Sequence, residues 1–129
     1  MKYLFHLVLL FICSVSNAQA TGHIPKNKTA ILIDPKTEYK FVLDSSHLII
    51  ECFNGCDKKI WMFDFHRYPT YNNPRSWRNY QIGYMSLRAL NYPYFPIEDR
   101  NKIALWISYD LCSGYIDVNT GKFREYGCD

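Results

Sequence analysis

Cys112 and Cys128 stand at equal distances on either side of Thr120 in the stretch "CSGYIDVNTGKFREYGC". No other feature restricts the fold as tightly. A three-residue loop at Asn119-Thr120-Gly121, between the strand-like segments "GYIDV" (114–118) and "KFREYG" (122–127), puts the two cysteines opposite each other across an antiparallel pair, at a separation a disulfide bridges. Closing a loop of about 17 residues this way contributes about 3 kcal/mol.

Whether the cysteines meet an oxidising compartment depends on the first 20 residues. "MKYLFHLVLLFICSVSNAQA" has a basic start at Lys2, an apolar run from Tyr3 to Ile12 and the small-residue ending Ala18-Gln19-Ala20, which reads as a secretory signal peptide of bacterial type. The run is too short to span about 30 Å of hydrocarbon, so no membrane anchor is expected. Ile12 before Cys13 argues against lipid attachment there. The expected product is a single secreted or periplasmic domain, residues 21–129. It keeps four cysteines, and an even set in an exported chain reads as two disulfides. Pairing Cys112 with Cys128 leaves Cys52 with Cys56. The spacings lack the paired knuckles of a zinc site, and no metal or cofactor is expected.

The rest of the chain carries strand signals, with no sustained 3.6-residue apolar period. "TAILID" (29–34) stops at Asp34-Pro35, "EYKFVL" (38–43) alternates, and "SHLIIECF" and "CDKKIWMFDF" flank the hairpin signal Asn54-Gly55. A two-residue turn there sets Ile49 against Ile60 and Glu51 against Lys58, whereas a three-residue turn sets Cys52 against Cys56. "KIALWISYDL" (102–111) reads as a buried strand. "QIGYMSLRAL" (81–90) fits a strand or a short helix, and "NYPYFPIEDRN" (91–101), broken by Pro93 and Pro96, is irregular or an edge. The fold class expected is all-β or β-rich α+β, a small domain of about six or seven antiparallel strands with two disulfides.

Function is less legible, since no serine sits in a nucleophile elbow and the cysteines are assigned to disulfides. A secreted nuclease or hydrolase needs a paired acid and base. Asp64 and His66 provide one candidate pair, on one face of a strand at i and i+2. His47 falls opposite residue 61 or 62 in either hairpin register, about 13 Å from His66 by strand rise, too far for a two-histidine mechanism. Asn27-Lys28-Thr29 matches a glycosylation sequon that is silent in most bacteria.

"FHRYPTYNNPRSWRNY" (65–80) is different in kind. It holds three arginines and no acid. With Lys2 lost alongside the leader, the mature chain carries 14 basic and 12 acidic side chains, a net of +2, so the remainder of the chain is slightly negative. That balance gives little footing for nucleic acid. Tyrosine, tryptophan and arginine dominate interface energetics because they bury large, rigid area while keeping polar tips. Arg67, Tyr68, Tyr71, Arg75 and Arg78 are the expected partner-binding residues, with Trp77 and Tyr80 turned inward. Asparagines among exposed rings also suit a carbohydrate-binding module, although that role favours nearby carboxylates. The stretch "NYPYFPIEDRN" is the next candidate surface.

In its leader, its roughly one hundred mature residues, its cysteines and its β patterning, the chain resembles small exported bacterial proteins that neutralise envelope-acting enzymes, namely periplasmic immunity proteins and lysozyme inhibitors. The resemblance implies a protein partner, a toxin or hydrolase, bound without catalysis. It carries over no individual residue.

Overall fold

The two-residue period of a pleated strand governs most of the chain, and the computed structural model, which describes residues 24–67, 81–91 and 94–129, shows eight strands. Residues 1–20, where a leader is expected, lie outside the described residues, as do Tyr68, Tyr71, Arg75, Trp77, Arg78 and Tyr80. Strands β1 (Ala30–Ile33), β2 (Lys40–Leu43), β3 (Ile49–Phe53) and β4 (Lys59–Asp64) form one antiparallel sheet in chain order. Strands β5 (Ile82–Ala89), β6 (Ile103–Tyr109), β7 (Cys112–Asp117) and β8 (Phe123–Cys128) form a second, also in chain order. The fold is all-β, one or two strands richer than expected. Short 3-10 turns occupy Phe65–Arg67 and Ile97–Asp99.

The ambiguous segment 81–90 is a strand because its inward residues follow the pleat. Ile82, Met85 and Leu87 face the core while Tyr84, Ser86 and Arg88 face outward, and a register shift between Ile82 and Tyr84 absorbs Gly83.

The inner faces of both sheets meet in one core. Phe41, Leu43, Ile50 and Phe63 of the first pack with Met85, Leu105, Ile107, Ile116 and Phe123 of the second. Aromatic contacts tie them together, Phe63 to Phe123 at 5.2 Å between ring centres and Phe65 to Tyr109 at 4.7 Å. The Trp61 indole N–H donates to the Val118 carbonyl at 2.8 Å across the same interface.

Two turns depart from the sequence-based registers. Neither short turn forms at Asn54-Gly55, because Cys52 faces Trp61 and Glu51 faces Met62, leaving a loop that runs from Asn54 to Lys58. The Asn54 side chain does the work of a turn peptide: its Oδ1 accepts the Cys56 and Lys58 amides at 2.9 and 3.0 Å, with Asp57 in the left-handed region at φ 60°. The wider loop carries Cys56 to the surface while Cys52 points into the core. The expected Cys52–Cys56 bond is therefore absent and both thiols are free. Burial pushes the Cys52 thiol up to about 11, which keeps it protonated and inert.

The second departure ends at the expected pairing. Beside the β7–β8 turn Ile116 faces Phe123 and Tyr115 faces Arg124, one residue off a register centred on Thr120, because the loop has a fourth residue and closes through Asp117 N–H to Lys122 O. A bulge then makes Tyr126 the extra residue, so Ser113 meets Gly127 and Cys112 meets Cys128. The Cys112–Cys128 disulfide forms with its Cα atoms 3.9 Å apart. At the turn Gly121 has φ 74°, and a Cβ there would come within 2.7 Å of the Trp61 ring, so both conformation and space require glycine.

The β2–β3 turn depends on Asp44. One carboxylate oxygen accepts the Leu48 and Ile49 amides at 3.1 and 3.0 Å, and the other accepts the Ser46 hydroxyl. Burial alone would raise the Asp44 pKa, but these hydrogen bonds outweigh it and hold the carboxyl below its ordinary value. A depressed folded-state pKa means stability present above the unfolded value of about 3.9 and lost as pH falls through the folded one. We expect Asp44→Ala to cost about 1–3 kcal/mol at neutral pH by denaturant titration, with the gap to the parent protein narrowing below pH 4.

Candidate functional site

Most of the expected binding stretch lies outside the described residues. Its described member, Arg67, is 82% exposed at the end of the 3-10 turn, with Nε 3.5 Å from the Asp64 carboxylate. The strand-face pairing of Asp64 with His66 does not hold, because β4 ends at Asp64 and residues 65–67 leave the sheet. The observed register also brings the start of β3 level with this turn, Phe65 N–H donating to the Leu48 carbonyl, so strand spacing no longer separates His47 from residue 66. His47 itself is buried, with Nε2 2.7 Å from the Lys28 carbonyl oxygen, a contact that makes Nε2 the protonated nitrogen.

His47 lines an open cleft of about 440 Å³ together with Lys26, Gln81, Tyr84, Ser108 and Asp110. Among the described residues no three histidine, cysteine, aspartate or glutamate side chains gather in a way that holds a metal ion, and no helix is long and apolar enough to cross a membrane.

The second sheet presents a more distinctive surface on its outer side. Strand pairing sets Ser86, Trp106, Tyr115 and Arg124 in one row across all four strands. Tyr126, two residues past Arg124, lies beside them, its ring 5.1 Å from Trp106. The β5–β6 connection folds over one end of this row and adds Phe95, whose ring meets Tyr115 edge-on at 5.6 Å, Trp106 edge-on at 6.3 Å and Tyr126 at 5.3 Å. Trp106 and Tyr115 lie nearly parallel, 6.5 Å apart. Leu90, Ala104 and Tyr115 form a small second core beneath, separate from the one between the sheets.

Polar contacts hold that connection down. Asp99 accepts the Tyr115 hydroxyl at 2.8 Å and Arg124 Nε at 3.2 Å, while Arg124 also reaches Glu98 at 3.4 Å. Burial, then the Asp99 hydrogen bond, raises the Tyr115 phenol well above its usual range, so the phenol stays a donor to Asp99. Arg100 Nε donates to the Phe95 carbonyl at 2.9 Å. Two large apolar side chains of the connection remain exposed, Tyr94 at 75% and Ile97 at 79%.

Arg88 completes the surface. Its guanidinium carbon lies 5.2 Å from the Trp106 ring centre and 5.7 Å from that of Tyr84, and it donates to Ser86 Oγ at 3.2 Å and to the Tyr84 hydroxyl at 3.5 Å. Between Arg88, Leu90, Tyr94, Phe95, Trp106 and Tyr126 runs a groove of about 390 Å³, within the size range of binding clefts. Part of it comes from "NYPYFPIEDRN", the second candidate in the sequence. Trp106, Tyr126 and Arg88 were not singled out there, although each sits at an alternate position of its strand: Tyr84, Ser86 and Arg88, then Ala104, Trp106 and Ser108, then Arg124 and Tyr126.

Fold and face together define an antiparallel two-sheet β protein carrying a preformed aromatic and arginine surface. No family model matches the chain, and neither a curated protein nor a solved structure matches it.

Proposed function

We propose that this chain is an exported binding protein that grips a protein partner on the outer face of its second sheet, acting as a periplasmic inhibitor or immunity protein against an envelope-acting toxin or hydrolase. The observation that carries the reading is the edge of the groove, where Tyr94 stays exposed beside rings already locked by packing and by the Asp99 network. Rings held in place before contact lose little conformational freedom on binding, which is the property of an interface anchor.

The stretch 65–80 is retained as a second contact surface through Arg67, Tyr68, Tyr71, Arg75 and Arg78. The test sets the two surfaces side by side. Against a secreted envelope toxin or hydrolase that the protein neutralises, Tyr94→Ala and Tyr126→Ala should each weaken affinity by about 1–3 kcal/mol, the first leaving Tm unchanged and the second lowering it modestly through the lost contacts with Phe95 and Trp106. Tyr71→Ala and Arg75→Ala report on the other surface. Full affinity in the Tyr94 and Tyr126 variants, with loss in the Tyr71 and Arg75 variants, would move the interface to 65–80. Turnover of RNA, peptidoglycan or phospholipid by the purified protein, abolished in His66→Ala, would replace the binding reading with a hydrolase.

A further inference from the structure

All twelve acidic side chains of the chain lie among the described residues, since positions 1–23, 68–80 and 92–93 contain no aspartate or glutamate. Arg124 and Lys102 of the second sheet take Glu98 and Asp99 as partners. Arg88 takes none. Among the described residues its guanidinium meets only the Ser86 and Tyr84 hydroxyls and two ring faces, although it is exposed and borders the groove.

An arginine has five N–H donors in a planar fork suited to a carboxylate. Here two donors are occupied by neutral hydroxyls, which together with the Trp106 ring under the guanidinium hold the fork in place. A guanidinium held this way, next to an apolar groove and without a carboxylate of its own, is complementary in charge and shape to an acidic side chain delivered beside an apolar one. We infer that the groove between Arg88, Tyr94, Phe95, Trp106 and Tyr126 receives an acidic segment of the partner protein, with a carboxylate on Arg88 and the neighbouring apolar side chain on the rings. This rests on the reading of the outer face as the interface and names what that interface recognises.

Two blocked peptides make the test, acetyl-Gly-Glu-Phe-Asp-Gly-amide and its Gln/Asn counterpart, titrated at low salt into the ¹⁵N-labelled mature protein. The Arg88 Nε–H and Trp106 indole resonances are followed. The acidic peptide should shift both and bind about tenfold more tightly than the neutral one, as a charge-assisted bidentate contact requires. The preference should disappear in Arg88→Gln and largely disappear in Arg88→Lys, which keeps the charge but not the fork. Unchanged amide spectra confirm that both variants fold.

Equal binding of the two peptides, or no shift at millimolar peptide, overturns the carboxylate assignment. If Tyr94→Ala and Tyr126→Ala still lose the protein partner in that case, the face stands as the interface and only its chemistry is wrong. Shifts confined to residues outside the groove overturn both. Short-chain polyphosphate binding more tightly than the acidic peptide, with the same loss in Arg88→Gln, overturns the assignment in favour of a phosphate ligand.

Discussion

Trp61→Ala is expected to lower stability by about 3–5 kcal/mol, the range of large aromatic truncations in a packed core. Three losses coincide at this site. The indole is 8% exposed and packs on Phe41 with ring centres 5.9 Å apart, so its removal leaves a cavity. Its N–H is the donor that serves the Val118 carbonyl from the opposite sheet, and truncation leaves that carbonyl without its partner. It also covers Gly121, where the left-handed turn brings the backbone close to the ring. Trp61→Phe refills most of the volume without the donor and should recover about half of the loss. Denaturant titrations of the three proteins separate the terms. A loss under 1 kcal/mol for Trp61→Ala would mean that Trp61 does not join the sheets as described.

Removing the Cys112–Cys128 bridge should be the next largest change. The double substitution Cys112→Ala/Cys128→Ala is expected to cost about 3 kcal/mol, most of it by freeing the unfolded chain. Thiol chemistry checks the same geometry. Alkylation in denaturant without reductant should label Cys52 and Cys56, and reduction should expose Cys112 and Cys128. Labelling at Cys52 should wait for unfolding, since the native thiol is buried and its pKa is raised. Absence of labelling at both Cys52 and Cys56 before reduction would restore the Cys52–Cys56 pairing. The bulge at Tyr126 would then need no revision, as it concerns the other hairpin.

Strand existence was readable wherever one face is buried. Phe41 and Leu43 alternate with Lys40 and Val42, and the register of β2 follows from that alternation. Turn length was not readable, because it was decided by a single side chain: Asn54 Oδ1 takes two amides and stabilises a loop longer than Asn-Gly ordinarily makes. The Cys112–Cys128 pairing was reached from a loop one residue too short, and Tyr126 supplies the compensating residue. A bulge leaves little trace in one sequence, since its extra residue resembles any other outward tyrosine. The outer face escaped notice for a related reason. "KIALWISYDL" reads as apolar on both sides, and until Trp106 is placed opposite Ser86 and Tyr115 nothing shows that one of those sides is open.

Each sheet is built from strands in strict chain order, the first half of the chain in one and the second half in the other. The chain therefore closes most of its hairpins over a short distance and leaves the β5–β6 connection and the joining of the two halves to longer ones. Short closures cost little entropy, and each sheet taken alone would leave an entire apolar side uncovered. Neither half is expected to persist alone. The disulfide belongs to a single hairpin within the second half, so its oxidation does not require the halves to have met. Covalent closure of the second sheet's last hairpin and the packing of the two sheets on one another are therefore separable events.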